Sequence, residues 1–312
     1  MSQTDNFPFV SVIIPVKNGA DRLRLCLEAL RQQTYPRHMY EIIVADNDST
    51  DDIASVARAN PGVCFVHEKL PGPAAARNAG VAQAKGEMLA FTDADCIPKP
   101  EWIAEGVCAL EHAQIIGGRI DVIPPRSHAP SVIEKYSYAT SFRQHHFVNN
   151  NSFAATGNIF MRRNTWAAVG PFDARLIAHE DVEFCHRAKK KGIETVYAHA
   201  AVVTHPIHYS NVASLLRKVA YHTRGSVQYW RLQGGHTMPL FSALLKDIFP
   251  IDALSRTTSR RREVGCMRMP ILLIATIRIF LFGPIQFFSR LYFAAQGNRI
   301  FMRQYAPPEK GI

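Results

Sequence analysis

The chain has no acidic residue from Val264 to Pro308. Arg268, Arg278, Arg290, Arg299 and Arg303 fall inside that stretch and Arg260-Arg261-Arg262 just before it, so much of the formal net charge of +10 gathers late in the 312 residues. Such a bias suits the anionic surface of a cytoplasmic membrane leaflet. The first 250 residues carry no basic stripe interleaved with aromatics and no zinc-knuckle spacing, which argues against nucleic acid as a partner. The six cysteines (Cys26, Cys64, Cys96, Cys108, Cys185, Cys266) form no CxxC pair and no short disulfide framework, a pattern that fits a reducing compartment and thiols used for packing. Met1 to Phe9 lacks the apolar core of a signal peptide, so the folded part is expected in the cytoplasm. A dinucleotide-binding oxidoreductase would need G-x-G-x-x-G after its first strand. The chain has Pro15-Val16-Lys17-Asn18-Gly19 there.

What is present points to a folded α/β protein, 47% hydrophobic and 20% charged. Val10–Ile14 is an apolar run closed by Pro15, and Glu41–Ala45 is another that ends at Asp46. Between them Leu23, Cys26, Leu27 and Leu30 recur at helical spacing. Ser49 and Asp52 resemble a capping signal before a short helix with Ile53, Val56 and Ala57 on its buried stripe. Val63–His67 reads as a third strand, Pro73–Ala84 as an alanine-rich helix and Met88–Thr92 as a fourth strand. Further on, Ile115–Ile123 and Ala155–Met161 are expected as strands and Asn149–Ser152 as a loop. Glu180–Lys191 is expected as a helix with acids at its positive end and bases at its negative end. Alternating strands and helices predict βαβ units and a mostly parallel sheet, with ligands bound at the carboxyl ends of the strands.

Every polar cluster of interest falls at such an end: Lys17-Asn18, Asp46-Asn47-Asp48, and Asp93 with Asp95. Carboxylates two residues apart on a strand end are expected to point roughly the same way. Hard oxygen ligands at this DxD spacing suit a divalent cation that also holds phosphates.

The ordered strings VSVIIPVKN, EIIVADNDSTD, GPAAARNAG, FTDADCIP, TGNIFMRR and GPFDARLIAHEDVEFCHRAKKKG resemble family 2 glycosyltransferases, inverting enzymes of the GT-A fold, over about residues 8–208. The resemblance implies a donor linked to UDP, GDP or dTDP, a hydroxyl acceptor, and Mn²⁺ or Mg²⁺ on the DxD. It implies Pro15, Asn18, Asp46, Asn47, Arg77 and Asp93 as nucleotide-sugar contacts. Asp95 and His205 would be metal ligands, with His208 a weaker competitor. Asp181, within His179-Glu180-Asp181, would be the general base that inversion needs opposite the leaving group, and Glu180, Gly157 and Asn158 would contact the acceptor. Where relatives often have two adjacent aspartates this chain has Asp46-Asn47, an exchange that bears on the base recognised. A non-catalytic sugar- or nucleotide-binding protein of the same fold is the alternative, but it would tolerate loss of Asp95 or Asp181, and both are present.

The expected organisation is a GT-A domain over residues 1–210 and a helical, basic, membrane-associated region over 211–312. Met269–Phe288 has about the length a bilayer demands, but Arg278 sits mid-run, at a cost of about 2.5–3.5 kcal/mol on insertion scales, and Gly283-Pro284 would break it. A monotopic or re-entrant helix pair is expected ahead of a single span, on the cytoplasmic side of the membrane, with a buried helix as the third option. Gln228-Tyr229-Trp230-Arg231 is not the QxxRW motif of processive synthases, which favours single addition to a glycan or lipid-linked acceptor.

Overall fold

The computed structural model describes residues 7–123, 131, 133–134, 137–138, 141–207 and 211–234. The apolar tail and His208 lie outside the described residues. The described residues fall into two compact units, one holding 7–123, 142–174 and 180–206, the other holding 131, 133–134, 137–138, 141, 175–179, 207 and 211–234.

The first unit is an eight-stranded sheet with helices on both faces. Its strands are β1 (Val10–Val16), β2 (Tyr40–Asp46), β3 (Val63–His67), β4 (Met88–Thr92), β5 (Ile97–Pro98), β6 (Ile115–Ile123), β7 (Asn158–Arg162) and β8 (Thr195–Pro206). Its helices are α1 (Ala20–Arg31), α2 (Ile53–Arg58), α3 (Pro73–Gln83), α4 (Trp102–Ala109), α5 (Gln144–Asn151), α6 (Arg163–Val169) and α7 (Glu180–Lys190). The strand order is β3-β2-β1-β4-β7-β6-β8-β5. From β3 to β4 all pairs are parallel, as are β6 and β8, while β7 runs antiparallel to both its neighbours and β5 to β8.

Side-chain alternation divides the core into two layers. Val10, Val12, Ile14, Met88 and Ala90 pack with the Leu23, Cys26, Leu27 and Leu30 stripe of α1. Ile13, Leu89 and Phe91 pack on the other face with Ala74 and Val81 of α3 and Phe172 and Phe184. Pro15 is tolerated in a central strand because β4 pairs with β1 only up to Ile13, while the partner at Pro15 is Ala45 of β2 alone. Beyond Ile13, β1 has no register partner on β4.

Several expected elements are shifted. The Ser49/Asp52 capping pattern is not used by α2, whose start has no side-chain cap. Ser49 instead accepts from the Asn18 N–H at 3.0 Å, and Asp51 from the Ala20 N–H at 3.0 Å, so these side chains tie two loops together. Asn149 to Asn151 close helix α5 rather than forming a loop, and Ser152 ends it in the left-handed conformation at φ 57°. Strand β7 starts at Asn158, three residues later than expected.

In the second unit, α8 (Val212–Leu232) is capped by the Asn211 side chain, which accepts from the Ser214 N–H at 2.9 Å. Gln228 on this helix accepts from the Ile177 N–H at 3.1 Å, and Ser226 Oγ lies 2.9 Å from Nε2 of His179. No helix among the described residues is long and apolar enough to cross a membrane.

Candidate active site

The candidate residues gather at the carboxyl ends of β1, β2 and β4, the end at which parallel sheets bind ligands. Asp46, the last residue of β2, is 6% exposed and accepts from the Ser49 N–H at 3.2 Å. Asn47 beside it donates to the carbonyls of Glu68 and Leu70, at 3.1 and 2.7 Å, and accepts from the Gly72 N–H at 2.8 Å. Asn18 holds a left-handed backbone (φ 50°), and its side-chain oxygen accepts from the N–H of Thr50 at 2.8 Å and from its hydroxyl at 3.2 Å. Asn47 therefore spends both ends of its amide, and Asn18 its carbonyl oxygen, on holding the loops at this end of the sheet.

Asp93 and Asp95 do not point the same way. Strand β4 stops at Thr92, and residues 93–96 turn, closed by the Cys96 N–H on the Asp93 carbonyl at 3.0 Å. Strand alternation therefore ends before the DxD. Asp93 meets Arg77 of α3 at 2.7 Å, whereas Asp95 Oδ1 lies 3.5 Å from His205 Nε2 at the end of β8. Burial, reinforced by these two carboxylates, pushes the nearby thiols of Cys26 and Cys96 well up, so both are neutral packing groups.

Asp95 and His205 fit a divalent cation as donors: an oxygen and an imidazole nitrogen face one another, with the ring of Phe142 tilted 59° to that of His205 at 4.7 Å. Two protein ligands leave positions for phosphate oxygens and water, the arrangement such ions favour beside a diphosphate. No group of three or more such side chains occurs among the described residues.

Glu180 and Asp181 open α7. Glu180 is 5% exposed, and its carboxylate receives Arg77 Nη1 at 2.6 Å. Burial, only partly offset by Arg77, raises its pKa to about 7. Burial also raises the pKa of Asp181, against the pull of the Val182 N–H, which it accepts at 2.8 Å, and of Arg77. Asp181 follows Glu180, the residue that Arg77 joins to Asp93. A carboxylate with a pKa raised toward neutrality, at the mouth of a helix, is equipped to accept a proton.

The expected acceptor contacts divide. Gly157 lies against Asp93: an added Cβ would stand 3.1 Å from Asp93 Oδ2, and its carbonyl accepts from Thr92 Oγ1 at 3.1 Å. Asn158 is 0% exposed. Its amide donates to the carbonyls of Arg119 and Ala201, at 2.8 and 3.0 Å, and accepts from Trp102 Nε1 at 2.9 Å. Asn158 is thus enclosed within the sheet, and the Glu180 carboxylate is bonded to Arg77. Sequence reasoning missed Asn78, which exchanges two hydrogen bonds with the backbone of Phe172, at 2.9 and 3.0 Å. Its one signal was its place beside Arg77 in a helix whose first eight residues are otherwise proline, alanine and glycine.

The family model for glycosyl transferase family 2 matches residues 11–169. The chain belongs to that family. It is 34% identical over 236 residues to glycosyltransferase AglE of Haloferax volcanii, covering 73% of this chain and 76% of the relative. It is 25% identical over 234 residues to the amylovoran biosynthesis glycosyltransferase AmsB of Erwinia amylovora, covering 70% and 74%. Several other curated glycosyltransferases are matched over 14–46% of their own length. Among solved structures, a mannosyltransferase of Pyrobaculum calidifontis in complex with GDP-Man and Mn²⁺ superposes with a TM-score of 0.58 at 19% identity, covering 95% of this chain and 88% of that one. At that identity the likeness shows the GT-A fold. Family membership sets the oxidoreductase alternative aside.

Proposed function

We propose that this family 2 glycosyltransferase moves a sugar from a nucleotide-linked donor to a hydroxyl of a glycan or lipid-linked acceptor, with inversion at the anomeric carbon. The observation that carries the reading is Arg77, which bridges Asp93 and Glu180 at 2.7 and 2.6 Å, with Asp181 next in the chain after Glu180 and Asp95, paired with His205, two residues on from Asp93. Asp46 and the loops tied by Asn18 and Asn47 form the nucleotide end of the site, with Pro15 under it and Asp93 on the sugar-diphosphate side. Asp95 and His205 would hold Mn²⁺ or Mg²⁺, which when bound supplies Lewis-acid stabilisation of the charge on the departing diphosphate. Asp181 takes the acceptor's proton as its oxygen attacks, and Gly157 keeps backbone, not side chain, beside Asp93.

The donor is linked to UDP, GDP or dTDP. The Pyrobaculum complex makes GDP-mannose with Mn²⁺ the first pair to try. The basic, acid-free stretch from Val264 to Pro308 supports binding to the cytoplasmic face of an anionic membrane.

The test is transfer from a panel of UDP-, GDP- and dTDP-sugars in Mn²⁺, with the product's anomeric configuration read by NMR and nucleotide affinity by calorimetry. Inverted product and loss of Mn²⁺-dependent binding in Asp95→Ala are expected. A retained configuration, or an affinity indifferent both to chelator and to Asp95→Ala, would overturn the reading. Co-sedimentation of the full chain with vesicles rich in anionic lipid tests the membrane arm, and a protein left wholly in the supernatant at low salt would reject it.

A further inference from the structure

Helix α3 places one charged residue on a buried face otherwise made of Ala74, Ala75, Ala76, Gly80 and Val81. Small residues let the helix lie close to the sheet, and Arg77, 3% exposed, reaches from there to the strand ends. Its Nη1 donates to Glu180 at 2.6 Å and its Nη2 to Asp93 at 2.7 Å, while its Nε is buried with no hydrogen-bond partner. Burial works against the guanidinium charge, but Asp93 and Glu180 outweigh it and hold the pKa above the ordinary arginine value. One cation thus spans two carboxylates from distant parts of the chain.

We infer that Arg77 is a positioning residue rather than a nucleotide ligand, and that it locks the first turn of α7, and with it Asp181, to the end of β4. The inference rests on the reading of Asp181 as base given above. Asn78 supports it independently: the next residue of the same helix clamps the backbone of Phe172, whose ring packs 4.8 Å from that of Phe184 on α7. Two consecutive side chains of α3 therefore hold the same helix, one at its start and one through the aromatic packing beneath it. At 3% exposure the remaining N–H groups of Arg77 have little access to a nucleotide phosphate, and withdrawing the side chain toward one would leave a buried acid without its cation, which is strongly unfavourable. A planar fork of donors can grip two carboxylates at a fixed angle; the ammonium of lysine is a point charge and cannot.

The experiment compares Arg77→Lys, Glu180→Gln and the double variant with wild type. Positioning predicts a fall in kcat of about 10²-fold for Arg77→Lys, the effect of a displacement near 1 Å at a reacting centre. The dissociation constants of GDP and of UDP, each with Mn²⁺, should change by less than about threefold. Glu180→Gln should fall in the same direction, and the double variant should be no worse than the worse single one, as for residues acting through one contact. Hydrogen–deuterium exchange in the first turn of α7 should rise in both single variants. A nucleotide affinity lowered tenfold or more in Arg77→Lys, with Glu180→Gln unaffected, would make Arg77 a ligand and overturn the inference. A lower melting temperature with kcat unchanged would overturn it too, leaving only a structural prop. Should Arg77→Lys fail to fold, Glu180→Gln decides alone by the same kcat and exchange readouts. If wild type transfers no sugar from any donor, the proposed function fails instead; unchanged exchange at α7 would still reject the lock.

Discussion

The parallel half of the sheet, β3-β2-β1-β4, and the mixed half, β7-β6-β8-β5, use the same side-chain chemistry for different ends. In the parallel half every strand delivers its carboxyl end to one edge, so the loops that follow must be knitted to one another. Asn18 and Asn47 do this at the rim, bonding to Thr50 and to the 68–72 loop. In the mixed half β7 runs the other way, so its first residue, Asn158, pairs with Thr92, the last of β4, and sits beneath the site. There the amide joins β6, β8 and α4 from within. The contrast teaches that an asparagine in a family motif can serve the protein's own backbone in two ways. Strand direction decides whether it stands at the rim or in the floor.

The comparison can be broken most severely at the acids that neither half has absorbed. Asp181→Asn keeps shape but cannot take a proton, and turnover should fall by roughly 10²–10⁴ with donor affinity nearly unchanged. Steady-state kinetics and calorimetry check this, and near-wild-type turnover would remove Asp181 from the role.

Next in size is the floor. Asn158→Ala leaves the Trp102 N–H and two carbonyls without partners and should destabilise the protein by about 2–4 kcal/mol in urea unfolding. Acceptor KM should stay the same; a raised KM with unchanged stability would restore the acceptor role that burial argues against.

The pH response follows from the raised carboxylates. Asp181 works deprotonated, so kcat/KM should fall as pH drops through a midpoint above the ordinary aspartate range. Glu180, raised to about 7 from 4.5, favours the folded state when protonated. Its stabilising contribution is present below pH 4.5 and lost as pH rises toward 7. Melting curves of wild type and Glu180→Gln should therefore diverge across that window, and parallel curves would discount the shift.

The smallest effect belongs to the rim. Asn47→Ala should cost about 1–2 kcal/mol and alter nucleotide affinity by less than Asp95→Ala does. A larger loss of affinity than of stability would make Asn47 a ligand after all.

The first four strands were legible because apolar runs bounded by proline and polar clusters have few other readings. The α1 stripe fell into the core residue for residue. Helix α5 was not legible: QHHFVNNN has two apolar residues, and its Gln144 is held by tertiary bonds to Ala155 and Asn158 that no local pattern announces. The divergence of Asp93 from Asp95 was hidden for a similar reason, since it depends on where β4 stops. The Arg77–Glu180 pair spans 103 positions in the chain and could be found only in the folded molecule.

The register of β6 against β8 carries a further consequence. Gly118 pairs with Ala198 but Arg119 with Val202, so His199, Ala200 and Ala201 are surplus on one strand. An added Cβ on Gly118 would stand 2.5 Å from the Ala201 carbonyl oxygen, and Asn158 binds that same oxygen. Counted without the surplus, the residue opposite Val122 would be Val202; with it, the residue is His205. Because the surplus is odd, it also exchanges the two faces of the strand beyond it. The imidazole that faces Asp95 is therefore delivered by arithmetic along the backbone. A three-residue insertion or deletion at the surplus would bring a different side chain opposite Val122 while the codons of Asp95 and His205 stayed intact.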